Sequence, residues 1–230
     1  MLYYILFSEN LTATQAVIHF LITIFVFMFA VSLHEFAHAF CAYKMGDPTA
    51  KNAGRLTLNP LKHINMTGFL FFILLGVGWA NPVPVNPLNY KKFKKGTRCV
   101  SISGVLSNFL LGLISAIAYA ILLATVGLNG GVAMEYVYTV LIYSMTINSF
   151  LAMFNLLPIP PLDGFAFIAS FCKTENKFLR YMAKNSFKLL IGFLLAGFVT
   201  DLLFGFDIFT LYLSLINDFI YVPICLLGVL

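Results

Sequence analysis

The sequence has few charged residues: Asp, Glu, Lys and Arg fill 10% of its 230 positions, while hydrophobic residues fill 60%. An ordinary soluble domain is about a quarter charged, so this composition excludes a water-soluble globular protein. The net charge is +5, but the basic residues lie in short loops between apolar segments and so indicate membrane orientation, not a nucleic-acid partner. We therefore expect a multi-pass membrane protein surrounded by the lipid bilayer.

Cysteine is also scarce, and its four positions are far apart, at Cys41, Cys99, Cys172 and Cys225. No Cys-x-x-Cys pair occurs, so neither a disulfide framework nor a thiolate metal site is expected. Internal repeats and Gly/Ser-rich or Pro-rich linkers are missing too. This predicts a single membrane-embedded domain over residues 1–230.

Four stretches reach the roughly eighteen apolar residues that a membrane-spanning helix requires. They are residues 16–41, 100–126, 136–154 and 189–230. The last stretch divides near residues 201–207 and is long enough for two helices. The predicted fold is an all-α polytopic membrane protein with about five to six membrane segments.

Residues 68–79 form an apolar segment too short to cross. Twelve residues of helix reach about 18 Å, against a hydrocarbon core of roughly 30 Å. If the segment dips in and returns, all 14 basic residues lie on one side of the membrane. A crossing segment would split them four against ten, contrary to the positive charge expected on the cytoplasmic side. We therefore expect a short re-entrant, β-like loop that enters from the cytoplasm.

The sequence His34-Glu35-Phe36-Ala37-His38 is a zinc-binding motif. On a helix its two histidines lie one turn apart on the same face, so both imidazoles can bind one Zn²⁺ while Glu35 reaches the metal-bound water. With four histidines and nine acidic residues in the chain, roughly three random sequences in a thousand would contain it. The alternative is a pair of buried histidines satisfied by hydrogen bonds, which is costly in lipid.

A catalytic zinc site usually has three protein ligands and one open position, so a further ligand is required. His19 lies fifteen residues before His34, about 22 Å along the same helix, and cannot reach. His63 lies beside Lys62 in a loop and is expected to face solvent. These two histidines are therefore not favoured as ligands.

Asp163 is the remaining candidate for the third ligand. It follows a helix break with prolines at 158, 160 and 161, which a membrane tolerates only where protein or a polar cavity covers the backbone. If residues 68–79 dip, Asp163 and His34 both lie ten residues before a lysine of a cytoplasmic loop, and so at similar depth. The alternative is a Pro/Gly turn in which Asp163 caps a helix.

Two other features could contact a bound peptide. Gly76 and Gly78, followed by prolines, suit an extended edge on which a peptide pairs as an added strand, although a plain turn fits these residues equally well. The small residues around Gly104 favour close helix packing. Asn108, on the same stretch, could donate a hydrogen bond in the site.

These motifs together resemble the site-2 protease family of intramembrane zinc metalloproteases, in its compact bacterial form without PDZ or CBS domains. The resemblance rests on the zinc motif and on residues 54–60, 103–108 and 155–164 (Gly-Arg-Leu-Thr-Leu-Asn-Pro, Ser-Gly to Asn, and Asn-Leu-Leu-Pro to Asp-Gly). It implies that His34, His38 and Asp163 bind Zn²⁺, that Glu35 is the catalytic acid/base, and that the Gly76 to Gly78 loop helps hold substrate. It also implies a helical core around the zinc, with peripheral helices.

The expected function is zinc-dependent cleavage of a transmembrane segment in another membrane protein, near the cytoplasmic side of a bacterial inner membrane. The catalytic core is expected over about residues 16–172 and peripheral helices over about 189–230. The alternative function is an intramembrane metal or proton transporter, for which polar groups would have to continue toward the outer face. No substrate identity or oligomeric state follows from the sequence.

Overall fold

The computed structural model describes residues 11–75, 78–128, 130–172 and 176–229, and these are mainly helical. In chain order the helices are α1 (Ala13–Met45), α2 (Thr49–Asn52), α3 (Met66–Leu75), α4 (Phe93–Val126), α5 (Gly131–Leu156), α6 (Asp163–Ala169), α7 (Lys177–Lys184), α8 (Ser186–Phe204), α9 (Ile208–Ile216) and α10 (Val222–Leu226). A π-helical turn, Asn217–Tyr221, joins α9 to α10.

Within the described residues, five helical stretches are long and apolar enough to cross a membrane: α1, α4, α5, α8 and the continuous stretch Ile208–Leu226. They coincide with the predicted stretches, and the last of these is divided into two at Gly205, where the backbone turns left-handed. The prediction of an all-α, multi-pass protein is confirmed.

Helices α1, α4 and α5 pack against one another and form the centre of the molecule. The C-terminal helices α9 and α10 pack on α5 and α4, with Tyr221 fully buried among Ala116, Met145 and Cys225. Helix α8 packs on α9 and has one buried residue, Gly197. Helix α1 carries His34 and His38, and α4 and α5 pack against it around the site described below.

The apolar segment 68–79 returns to the side from which it enters. Ile64 before the segment and Ala80 after it form an antiparallel bridge, and the Asn81 amide donates to the His63 carbonyl at 2.7 Å. The two limbs approach so closely that a Cβ on Gly68 would overlap the backbone of Trp79. The two ends of the segment therefore lie side by side, as the predicted dip requires.

The first limb of this dip is the helix α3, whereas the sequence predicted a β-like loop. Helix is favoured here because it satisfies its own backbone groups where water is absent. Phe72 of α3 stacks on Phe27 of α1, with ring centroids 3.7 Å apart. Residues 78–86, called the return segment below, are not helical, and Ala80 forms the bridge to Ile64 while Asn86 has an extended backbone. The predicted substrate-contacting residue Gly76 lies outside the described residues.

Candidate metal centre

The histidines of the zinc motif lie on one face of α1, deep in the protein. His34 and His38 are 7% and 8% exposed, and their Nε2 atoms are 3.0 Å apart. The neighbouring polar residue Glu35 is equally buried at 8%. One turn of helix thus brings two imidazole nitrogens to a single point, as the motif predicts.

Asp163 completes the group from the other side. Its Oδ2 lies 3.2 Å from His34 Nε2 and 3.1 Å from His38 Nε2. It is the first residue of α6, but the N-cap position belongs to Leu162 and no side chain caps this helix. The alternative role of Asp163 as a helix cap is therefore not what the geometry shows.

The turn that carries Asp163 is fixed on both sides. Helix α5 ends at Leu156 before the prolines, and a Cβ on Gly164 would overlap the Leu156 carbonyl, so glycine allows the turn to pack on the end of α5. At the other end of α6, Arg98 Nε donates to Ser170 Oγ at 3.3 Å and its guanidinium lies 3.9 Å from the Phe171 ring centroid.

These three atoms fit a metal ion. Zinc bonds of about 2.0–2.1 Å at tetrahedral angles place neighbouring ligand atoms about 3.3 Å apart, and the distances here are 3.0 to 3.2 Å. A Cβ on Gly104 of α4 would overlap the Nε2 atoms of both His34 and His38. Glycine at this position therefore leaves the space beside the ligand atoms that an ion requires.

Hydrogen bonds on the far side of each imidazole decide which nitrogen faces the site. His38 Nδ1 is 2.7 Å from the Val100 carbonyl, which can only accept, so Nδ1 carries the proton. His34 Nδ1 is 2.6 Å from Asn108 Oδ1. The Asn108 amide cannot be reversed, because its Nδ2 donates to Asn148 Oδ1 at 2.7 Å and to the Ala30 carbonyl.

In their neutral form, both imidazoles therefore present an Nε2 lone pair toward the Asp163 carboxylate oxygen. Three electron-pair donors within about 3 Å repel one another unless a cation lies among them. Protonated Nδ1 atoms held by carbonyl acceptors are also the arrangement found around histidines that bind metal through Nε2.

Asn148 is a site-supporting residue that sequence reasoning missed. It is fully buried in α5, and its Nδ2 donates to the Ser144 carbonyl at 2.8 Å, which leaves Oδ1 for Asn108. The indication in the sequence is an asparagine inside an apolar segment, but the sequence does not say which group it faces.

Glu35 does not join the three ligand atoms. Its Oε2 accepts a hydrogen bond of 2.8 Å from the Val83 amide in the return segment. A cavity of about 420 Å³ is lined by Glu35, His34, His38 and Asp163 on one side and by the return segment, including Gly78 and Val83, on the other. A peptide that enters this cavity can reach the carboxylate and the candidate metal ligands together.

The other predicted contacts have different places. Asn108 has all its side-chain polar atoms bonded within the protein, which favours a role in holding His34 over the predicted contact with substrate. Gly78 lines the cavity but also packs on Gly68 of α3. His19 is bonded to the Tyr143 hydroxyl at 2.7 Å, away from the site.

The expectation that His63 faces solvent is wrong. Its side chain is fully buried, and its Nε2 lies 2.8 Å from the Thr57 carbonyl. The loop 54–63 folds back on the base of the dip and covers the imidazole. The expectation of exposure came from the neighbouring Lys62, and the sequence near His63 does not indicate this contact between two segments.

Bacterial proteins named as putative zinc metalloproteases resemble the chain in sequence. The Bacillus subtilis (strain 168) protein named putative zinc metalloprotease YwhC is 41% identical over 141 residues, which is 60% of this chain and 63% of that protein. The chain is therefore a homologue of bacterial proteins that are named as putative zinc metalloproteases. The prediction of a relationship to bacterial zinc metalloproteases is thereby confirmed.

Two further relatives are both named putative zinc metalloprotease Rip2. The Mycolicibacterium smegmatis protein is 29% identical over 69% of this chain and 60% of its own length, and the Mycobacterium tuberculosis (strain H37Rv) protein is 28% identical over 81% and 70%. The chain spans about three fifths of the first two of these three relatives. No protein-family model matches it, and no solved structure matches it significantly.

Proposed function

We propose that the protein is a zinc-dependent endopeptidase that cleaves peptide bonds in or near transmembrane segments of other membrane proteins. The observation that carries the proposal is the convergence of His34 Nε2, His38 Nε2 and Asp163 Oδ2 within 3.2 Å, with both imidazoles oriented to present lone pairs. The relatives named as zinc metalloproteases support the choice of metal and of reaction.

In this proposal His34, His38 and Asp163 hold the metal. Zinc bound there supplies a Lewis acid that polarises the scissile carbonyl and makes water a nucleophile at neutral pH. Glu35 accepts a proton from the attacking water and passes it to the leaving amine. The Val83 amide, which donates to Glu35 Oε2 at 2.8 Å, holds one carboxylate oxygen and leaves the other to move the proton.

The substrate pairs with the return segment. A membrane-spanning substrate hides its amides in helical hydrogen bonds, and each group freed by unwinding costs several kcal/mol in lipid unless it finds a partner. One side of the return segment is bridged to Ile64. Pro82 and Val85 line the cavity together with Glu35, so a substrate strand lying along the free side passes beside the catalytic carboxylate.

We further propose a single membrane-embedded peptidase domain in a bacterial inner membrane, with the active site toward the cytoplasm. Lys44 lies in the last turn of α1 and Arg98 in the second turn of α4, while Arg55 is bonded to Asn81 at the base of the dip. Retention of positive charge on the cytoplasmic side supports this orientation.

The transporter alternative is not favoured. The polar groups that lead away from His34 are hydrogen-bonded one to the next, in the order Asn108, Asn148, Ser144 and Ser115. Such a series orients a ligand, and the buried groups in it are already paired. The relatives are named as proteases.

The test is cleavage of candidate membrane substrates by the purified protein. Wild type is compared with Glu35→Gln and with chelator-treated wild type to which zinc is then restored. We expect Glu35→Gln to retain the metal and to lose activity by roughly a hundredfold or more, as for removal of positioned acid–base catalysis. Unchanged turnover by Glu35→Gln on a verified substrate would refute the protease assignment.

A further inference from the structure

The return segment is held by residues outside the cavity, and its first fixed point is Asn81. All four polar groups of this residue are bonded. The Asn81 partners are the His63 carbonyl at 2.7 Å, Arg55 Nη2 at 2.6 Å, Asn65 Nδ2 at 2.8 Å and the Ile64 carbonyl at 3.0 Å. A residue bonded in this way cannot shift along the chain without breaking several hydrogen bonds at once.

Arg55 provides the charged bond to this point. It donates from Nη2 to the Asn81 carbonyl, and hydrogen bonds from a charged donor are the stronger kind. The loop that carries Arg55 is itself fixed, because the Arg55 amide donates to the Ala50 carbonyl at 2.9 Å and the Thr57 carbonyl is bonded to buried His63. The Gly54 to Pro60 motif therefore forms a rigid support beneath the return segment.

Asp47 holds the other end of the return segment. This carboxylate is fully buried just after α1. Its Oδ2 accepts from the Asn86 amide at 2.6 Å, and its Oδ1 accepts from Asn89 Nδ2 at 2.8 Å and from the Thr49 amide at 3.1 Å. A buried carboxylate is tolerated only when such donors satisfy it.

Val83, which donates to Glu35, lies between these two fixed points, two residues after Asn81 and three before Asn86. Extended chain advances about 3.3 Å per residue, so a slip by one residue would move the Val83 amide away from Glu35. Neither Arg55 nor Asp47 lines the cavity, so neither is placed to touch a substrate.

We propose that Arg55 and Asp47 are positioning residues that fix the register of the return segment against Glu35, and so align a paired substrate with the metal centre. This inference rests on the proposed function and assigns a role to the Gly54 to Pro60 motif. A misplacement of about 1 Å can reduce a rate about a hundredfold, so loosening either point is expected to lower kcat/KM markedly.

The chain offers a probe of this segment that is independent of activity. Trp79 is the one tryptophan in the sequence and lies in the return segment, two residues before Asn81. Its fluorescence anisotropy and its quenching by acrylamide report how firmly the segment is held, whether or not a substrate is known.

The test compares Arg55→Gln, Arg55→Lys and Asp47→Asn in the full chain, reconstituted in lipid, with Lys62→Gln as a matched loss of one charge from the same loop. Arg55→Gln cannot supply the charged bond, while Arg55→Lys can restore part of it. Asp47→Asn keeps one carbonyl oxygen and places an amide where a second acceptor is needed.

We expect Arg55→Gln and Asp47→Asn to increase the acrylamide quenching of Trp79 and lower its anisotropy, with zinc content unchanged. On a substrate cleaved by wild type, kcat/KM falls tenfold to a hundredfold, KM rises, and Arg55→Lys recovers part of the loss. A merely destabilising change would lower the active fraction, and so the apparent kcat, without raising KM. Lys62→Gln leaves all readouts at wild-type values.

Wild-type Trp79 behaviour in both Arg55→Gln and Asp47→Asn would overturn the inference, as would wild-type kcat and KM in both variants on a substrate that wild type cleaves. If Asp47→Asn does not fold, the Arg55 pair still decides between these outcomes. Failure of wild type to cleave any substrate would count against the proposed function, and the Trp79 measurements would still show whether Arg55 and Asp47 hold the segment.

Discussion

Replacing Asn108 by leucine removes the hydrogen-bond acceptor behind His34 and keeps the side chain close to its original size. In the wild type, Asn108 Oδ1 lies 2.6 Å from His34 Nδ1 and fixes the proton there, so that Nε2 faces Asp163. Without this acceptor the imidazole can rotate or exchange its tautomer, and only a fraction of molecules presents the Nε2 lone pair.

Loss of such a bond behind a metal ligand typically weakens metal binding ten- to a hundredfold, about 1.4–2.7 kcal/mol. We expect Asn108→Leu to lie in this range. Asn148→Leu acts one hydrogen bond further away, through the orientation of the Asn108 amide, and is expected to weaken binding less. A larger loss of zinc affinity in Asn108→Leu than in Asn148→Leu is expected because Asn108 contacts His34 directly and Asn148 acts through Asn108. General destabilisation would not predict this order.

The assay is zinc content of the purified proteins after equilibration with chelators of graded affinity, with thermal unfolding as the measure of folding. Gly192→Ala provides a control in a helix, since nothing lies within 4 Å of the added Cβ. Zinc held by Asn108→Leu as tightly as by wild type, in folded protein, would refute the assignment of His34 Nε2 as a ligand oriented by Asn108.

Three other predictions address separate parts of the structure. Gly104→Ala should abolish stoichiometric zinc binding, because the new methyl group overlaps the Nε2 atoms of His34 and His38. The protein should still fold, because alanine favours helix. Retained zinc would contradict the placement of α4. Leu61 and Leu88 are 76% and 85% exposed, and each can be replaced by a single cysteine in a chain that lacks the native cysteines. We expect an impermeant thiol reagent to label both positions from the cytoplasmic side. Labelling from opposite sides would disprove the dip. Burial alone raises the pKa of Asp47, but hydrogen bonds from Asn86, Thr49 and Asn89 outweigh it and hold the pKa below its usual 3.8. The ionised Asp47 therefore contributes its full stabilisation above pH 3.8, and this stabilisation is lost as the pH falls through the lowered pKa. The difference in melting temperature between wild type and Asp47→Asn should therefore shrink in acid, and a difference that grows there would contradict this sign.

The zinc motif and the dip could be predicted from the sequence because each is a local property. Helical periodicity alone places His34 and His38 together, and the length of the apolar segment alone rules out a crossing. Asp163 required one additional step, the orientation of the segments, which placed it at the depth of His34. The structure brings the three residues together as that reasoning expected.

The residues that support the site could not be predicted in this way. Asn148, Arg55 and Asp47 act through hydrogen bonds to partners between 26 and 40 positions away in the chain, and no local pattern specifies such a partner. The burial of His63 has the same origin, since the fold of the loop that covers it depends on contacts with the dip.

The central claim is that His34, His38 and Asp163 bind one zinc ion, and X-ray absorption at the zinc edge of the purified wild-type protein tests it most directly. We predict one zinc per chain, with two imidazole nitrogens and oxygen ligands at about 2.0–2.2 Å and no sulfur ligand, and a changed spectrum or lost metal in Asp163→Asn. Absence of stoichiometric zinc, or a shell containing sulfur at about 2.3 Å, would contradict the account.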